Sequence, residues 1–391
     1  MSDDRMGAHG QRRGERVGWG PDGSAKARSV PSHSQLPFVE GRPAPSPLSW
    51  SAKADHPRLG LFQRLEWLLG AKTWMVGPSP TMTGGEANRR PTDAMDGQSK
   101  KVLMRRRALA TALALLATPA IGAPRIPERD RYFSASDGTR LHFVEAGPAQ
   151  ARTIVLIPGW TMPAWIWEAQ IQSFARKYRT VAFDPRGQGG SDVPARGYDH
   201  VRRGQDIAEL ISHLAGPKPL IVAWSLGVLD TLAYVHTRGD SAIAGLVLVD
   251  NSVGEDPPPP VPPPATGPVK PPPPHAEEMR RFVASMFRTK RDQAWLDRLT
   301  KATLRTPEDA ARKLLAYPVP RTYWREATHA TSVPLLYAIR PRWQPQAENL
   351  ARAKAGTEIE VFPNAGHALF VDEPERFDSM VESFARRRVW P

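Results

Sequence analysis

Ser225 ends a run of apolar residues, Leu220-Ile221-Val222-Ala223-Trp224, and is followed at once by Leu226-Gly227 and a helical pattern. This is the shape of a strand that stops in a sharp turn with a hydroxyl at its apex. A serine so placed is held away from its own backbone. The free N–H groups of the helix that follows favour negative charge developing beside it. The chemistry that suits such a residue is nucleophilic attack. Small residues must flank it, because the turn brings strand and helix close together, and Ala223 and Gly227 meet that need. An ordinary strand-to-helix turn can look the same, so the surrounding elements must decide.

Those elements alternate. Arg131–Ser134 and Thr139–Glu145 flank the turn signal Ser136-Asp137-Gly138 and predict a hairpin. Thr153–Ile157, Thr180–Phe183, 220–223 and Leu246–Val249 are short continuous apolar runs, as expected of strands buried on both faces. Helices are expected at 165–177, at 203–215 with Ile207, Leu210, Ile211 and Leu214 on one stripe, and at 226–237. After 257–274, a proline-rich stretch that reads as a polyproline II spacer, helices are expected at 276–290, 293–304 and 307–316. Thr306 looks like the cap of the last of these. Strands return at 334–338 and 358–362, with helices at 345–354 and 374–387, the latter capped by Asp372. The expected fold is α/β: a mainly parallel central sheet of about eight strands with helices on both faces and a helical lid inserted after strand 6.

Composition bounds the rest. The chain has 391 residues, of which 40% are hydrophobic and 41 are proline, about twice the usual share of roughly 5%. Part of it is therefore expected to be non-globular. The formal net charge of +13 is spread without a basic stripe interleaved with aromatics, so no nucleic-acid partner is expected. The chain has no cysteine, which excludes disulfides, thiolate catalysis and Cys-ligated metals. Residues 1–103 read as disordered. Met104-Arg105-Arg106-Arg107, an apolar run from Ala108 to Ala117 and the small residues up to Ala123 have the anatomy of a secretory signal peptide over 104–123. The apolar run is too short for a stable membrane span. The expectation is that synthesis starts near Met104, that 1–103 is upstream sequence from a mis-assigned start, and that the product is secreted or periplasmic. With a start further upstream, it would be cytoplasmic. The expected divisions are a core at 130–256, a proline-rich linker at 257–274, a lid at 275–330 and the remaining core at 331–391.

Three further stretches, taken with Ser225, carry a resemblance. They are Ile157-Pro158-Gly159-Trp160, Asp184-Pro185-Arg186-Gly187-Gln188-Gly189-Gly190-Ser191-Asp192, and Asn364-Ala365-Gly366-His367. Together they resemble the α/β-hydrolases. The turn at Ser225 is similar to their nucleophile elbow G-x-S-x-G, with Ala223 for the first glycine. The resemblance covers roughly 130–391. It implies Ser225 as nucleophile, His367 as general base, and the backbone N–H groups of Trp160 and Leu226 as the oxyanion hole. Pro158 replaces the histidine that usually braces the oxyanion loop. The second stretch implies a structural role, with Arg186 and Asp184 tying loops.

Most of the family places its third catalytic group after the seventh strand. Here that segment reads Ala338-Ile339-Arg340-Pro341-Arg342-Trp343 and holds no carboxylate. A subset carries the acid after the sixth strand, where Asp250 lies, and the order Ser225, Asp250, His367 fits the family. The alternatives are that Asp250 caps a turn and that His367 is a satisfied core histidine. His275 and His329 could touch substrate. Trp160, Trp224 and one lid tryptophan could build an apolar pocket. The resemblance implies a serine carboxylesterase acting on small or medium ester-type substrates, with no cofactor and no metal. Lactonase, thioesterase, C–C hydrolase and cofactor-free perhydrolase or haloperoxidase activities share such a triad. A catalytically silent binding protein is the reading from another class. Oligomeric state is not legible.

Overall fold

The computed structural model describes residues 124–259, 273–316 and 318–391. The expected disordered arm, the expected signal peptide and most of the proline-rich stretch lie outside the described residues. Eight strands form one sheet: β1 Glu128–Ser134, β2 Arg140–Ala146, β3 Thr153–Ile157, β4 Arg179–Asp184, β5 Leu220–Trp224, β6 Gly245–Val249, β7 Leu335–Ile339 and β8 Glu358–Val361. Their spatial order is β1-β2-β4-β3-β5-β6-β7-β8. β1 pairs antiparallel with β2 and β2 with β4, and every other pairing is parallel. The parallel core follows from composition: every residue of β3, β5, β6 and β7 is buried, as a sheet covered on both faces requires.

The helices are α1 Glu168–Phe174, α2 His200–Leu214, α3 Leu226–Arg238, α4 His275–Ser285, α5 Gln293–Thr303, α6 Glu308–Leu314, α7 Arg321–Ala330, α8 Gln344–Ala353, α9 Leu369–Asp372 and α10 Pro374–Phe384. On α2, Ile207, Leu210 and Leu214 are buried, and the Asp199 carboxylate caps the helix by accepting from the Arg202 N–H at 2.9 Å. Helices α4 to α7 occupy the chain between β6 and β7.

Several boundaries differ from the sequence expectation for identifiable reasons. The helix expected from 165 begins as a 3-10 turn, Ala164–Trp167, before α1. Helix α4 stops at Ser285 instead of reaching 290, because the Arg288 and Thr289 N–H groups turn to the Asp372 carboxylate. Thr306 does not cap α6; its hydroxyl donates to the Gly187 carbonyl at 2.8 Å. Asp372 does not cap α10 either. It accepts from the Gly366 N–H at 2.7 Å and from the segment after α4, so it ties the His367 loop to the inserted helices. Helix α7 has no counterpart in the sequence reading.

Candidate active site

β5 delivers Ser225 to the carboxyl edge of the sheet, and the Ser225 N–H still continues the ladder by donating to the Val249 carbonyl at 2.9 Å. There the backbone turns sharply, with φ 55° and ψ −121°. A non-glycine residue held in that region costs on the order of 1–3 kcal/mol, a strain that marks functional sites. Gly227 makes the turn possible: a Cβ on it would lie 2.7 Å from the Pro158 carbonyl oxygen. Ala223 is fully buried and is accommodated in place of the usual glycine.

β6 ends one residue before Asp250, which also has a positive φ, 49°. The Asp250 N–H donates to the Ala338 carbonyl of β7 at 2.9 Å, and the Asn251 side-chain amide donates to the Ser225 carbonyl at 2.8 Å. The first bond ties the Asp250 turn to β7, and the second ties it to the Ser225 turn. His367 arrives on the loop after β8. The Trp224 indole N–H donates to its carbonyl at 2.9 Å, and the indole ring packs 5.1 Å from the imidazole.

The three side chains then meet in series. His367 Nε2 lies 2.8 Å from Ser225 Oγ, and His367 Nδ1 lies 2.7 Å from Asp250 Oδ2. Asp250 and His367 are buried, while Ser225 keeps partial access to solvent. With Nδ1–H donated to the carboxylate, Nε2 is free to accept the serine proton. Arg340, after β7, also reaches this acid. Its backbone N–H donates to Asp250 Oδ1 at 3.0 Å and its Nε to Oδ2 at 2.6 Å, and its Nη2 lies 3.5 Å from His367 Nδ1.

The electrostatics follow from burial and this cation. Burial alone would raise the Asp250 carboxyl, but Arg340 and the bond to His367 outweigh it and hold the carboxyl below its usual value. Burial lowers the His367 pKa; Asp250 pulls the other way, and Arg340 and Arg342 add to the lowering. Burial and the two guanidiniums thus favour the neutral imidazole, the form a general base needs.

Trp160 lies at the turn between β3 and the 3-10 segment, beside Thr161 with φ 59°. Leu226 is the first residue of α3. Among the described residues, neither backbone N–H is engaged in a hydrogen bond. The Trp160 indole N–H donates to the Ala311 carbonyl of α6 at 2.8 Å, and its ring sits edge-on to Phe282 of α4 at 5.1 Å.

Other residues weighed from sequence have different surroundings. Ser191 Oγ donates to the Asp184 carbonyl, and Ser252 Oγ donates to Gln346. His329 pairs with Glu255, and His275 lies 4.0 Å from Glu278. The Trp224 side chain is buried beneath the histidine loop, its indole N–H bonded to the His367 carbonyl. Trp295 donates to Glu168. Arg186 and Asp184 do tie loops: Arg186 pairs with Asp206 and Asp137, and Asp184 accepts from the Ala164 and Gly190 N–H groups. Sequence reasoning missed the contact of Arg340 with Asp250. Its position in the segment expected to hold an acid was the available signal. Two concavities of about 400 and 260 Å³ open near α2, the first against Phe133 and His213 and the second against Leu214 and Pro219, and neither contains a triad residue.

Residues 154–379 match the model of the alpha/beta hydrolase family. The chain is an α/β-hydrolase. This family member is 32% identical over 117 residues to the non-heme chloroperoxidase of Streptomyces lividans, a match covering 30% of this chain and 42% of that protein. It is 33% identical over 100 residues to the soluble epoxide hydrolase of a Corynebacterium species, covering 25% and 34%. The matched region thus spans less than half the length of these curated relatives. Among solved structures, a Burkholderia cenocepacia protein assigned as an aryl esterase is 27% identical with a TM-score of 0.58, covering 66% of this chain and 98% of that one. An esterase from Exiguobacterium antarcticum shares the fold, with 21% identity, a TM-score of 0.54 and coverage of 66% and 100%. No helix of the described residues is long and apolar enough to cross a membrane.

Proposed function

We propose that this α/β-hydrolase is a serine carboxylesterase that cleaves small or medium esters through an acyl-enzyme on Ser225. The observation that carries the reading is the unbroken relay of Asp250, His367 and Ser225, with contacts of 2.7 and 2.8 Å. His367 takes the Ser225 proton while Asp250 holds the ring and stabilises the imidazolium. Ser225 Oγ attacks the ester carbonyl. The Trp160 and Leu226 N–H groups hold the oxyanion, each worth about 3–4 kcal/mol by analogy with well-studied donors. The tetrahedral adduct expels the alcohol, which takes the proton from His367. Water then repeats the sequence and releases the acid.

Serine in place of an aspartate nucleophile disfavours epoxide opening. The likeness to a chloroperoxidase supports a second reading on the same centre, in which hydrogen peroxide replaces water at the acyl-enzyme and releases a peracid. The contact of Asp250 with His367 weighs against a silent binding protein. In this reading the inserted helices form a lid over the site, and residues 104–123 direct export. N-terminal sequencing of the exported protein checks the latter, with a start after Ala123 expected.

The test of the activity is hydrolysis of p-nitrophenyl esters from acetate to octanoate. Turnover that disappears in Ser225→Ala is expected, and the chain-length profile reports the acyl pocket. A folded wild type that hydrolyses none of them contradicts the reading.

A further inference from the structure

Pro158 stands where the sequence resemblance implies a histidine that braces the oxyanion loop. Here Gln188 contacts the loop. It is fully buried, and its Nε2 donates to the Gly159 carbonyl at 3.0 Å and to the Met162 carbonyl at 2.7 Å. Its Oε1 accepts from Arg203 Nη1 at 2.8 Å. A guanidinium can only donate, so the amide oxygen must face it and both amide hydrogens must face the two carbonyls. The side chain has one orientation. Arg203 is fixed in turn by Asp230, with Nε 2.8 Å and Nη2 2.7 Å from Oδ2. Both members of this pair are buried, and Asp230 stands on α3, the helix that begins at Leu226. A buried polar chain therefore runs from the helix behind the nucleophile to the loop opposite it.

The Gly159 carbonyl and the Trp160 N–H belong to one peptide group. That group is planar and trans, so fixing the carbonyl fixes the direction of the N–H. Donation to the carbonyl also polarises the N–H at the other end. We infer that Gln188 is a positioning residue for the oxyanion hole: anchored by Arg203, it aims the Trp160 N–H by holding the Gly159 carbonyl, the task left open by Pro158. The inference rests on the esterase reading of Ser225. Gln188 touches no reacting atom. Its effect falls on the transition state, where the oxygen carries charge, and not on ground-state binding.

The test uses Gln188→Met, which removes the donors, and Gln188→Glu, which keeps the shape but sets an oxygen against both carbonyls. Each is compared with wild type for p-nitrophenyl acetate hydrolysis and for the rate of Ser225 phosphonylation by a fluorophosphonate, with thermal melting as the check of folding. The expected result is a fall in kcat of about 10- to 100-fold with KM within about threefold, and an equal slowing of phosphonylation. If Gln188→Met fails to fold, Gln188→Glu carries the comparison. A folded variant with kcat and phosphonylation unchanged, or with only KM raised, overturns the inference while the esterase reading stands. A wild type inert to both reagents overturns that reading, and the inference falls with it.

Discussion

The ends of β6 and β7 are neighbours in the sheet, with Val249 paired to Ala338, yet they carry opposite charges. β6 leads into Asp250, and β7 leads into Arg340. Most α/β-hydrolases would be expected to hold the acid after β7. In this chain the carboxylate sits one strand over, and a guanidinium occupies the neighbouring place and bonds to it. Both strand ends reach the same nitrogen: Asp250 Oδ2 lies 2.7 Å and Arg340 Nη2 3.5 Å from His367 Nδ1. The difference also has an electrostatic consequence. Burial is the main cause of the lowered His367 pKa; the carboxylate of Asp250 opposes it by favouring imidazolium, and the adjacent cation adds to the lowering.

The largest effect that could break this comparison is at the acid. Asp250→Asn is expected to lower kcat by about 10⁴-fold, because the amide no longer stabilises the imidazolium or enforces its tautomer. Steady-state hydrolysis at fixed pH reads it, and a loss below tenfold would remove Asp250 from the mechanism. Asp372 is the contrasting carboxylate beside the same loop. It bonds to backbone N–H groups of Gly366, Arg288 and Thr289 and to Arg291. Asp372→Asn is therefore expected to cost about 1–3 kcal/mol of stability with less than tenfold loss of kcat. Urea unfolding beside the same assay separates the two.

Arg340→Met sharpens the electrostatic half of the comparison. The guanidinium disfavours a second positive charge on His367, so removing it raises the imidazole pKa. The acid limb of the kcat/KM profile, set in wild type below the ordinary value of 6.5, should move upward in the variant. An unmoved limb would show that the cation serves only to neutralise Asp250.

The smallest effect lies away from the site, at the cluster of His142 with Asp184 and Asp130. Burial lowers His142, but Asp184 at 2.6 Å and Asp130 at 2.9 Å outweigh it and raise its pKa above 6.5. This group contributes stability that is fully present below 6.5 and is lost as pH rises through the raised folded value. The thermal midpoint should fall across that window in wild type and fall less in His142→Gln, as read by melting curves over a pH series.

Much of the frame was legible because it rests on local pattern. Three of the four fully buried strands, β3, β5 and β6, read as continuous apolar runs, and the small residues around Ser225 marked a close strand-to-helix turn. The meeting of Ser225, Asp250 and His367 was legible only through the joint motifs, since 142 residues separate the serine from the histidine. What stayed hidden depends on contacts between distant segments. Thr306 and Asp372 sit where caps belong in sequence, but Gly187 and the segment after α4 offered them other partners. Arg340 read as a missing acid, and its approach to Asp250 needed the sheet order. Gln188 lay inside a motif taken as structural, and its contacts with the Gly159 carbonyl and with Arg203, itself paired with Asp230, join segments distant in sequence.

The most direct test of the central claim is pre-steady-state mixing of the protein with p-nitrophenyl acetate, followed by quenching, digestion and mass analysis. The account predicts a burst of about one equivalent of p-nitrophenol and an acetyl group on the peptide carrying Ser225, with both absent in Ser225→Ala. An acetyl group on another residue, or steady hydrolysis that persists in Ser225→Ala, would contradict it.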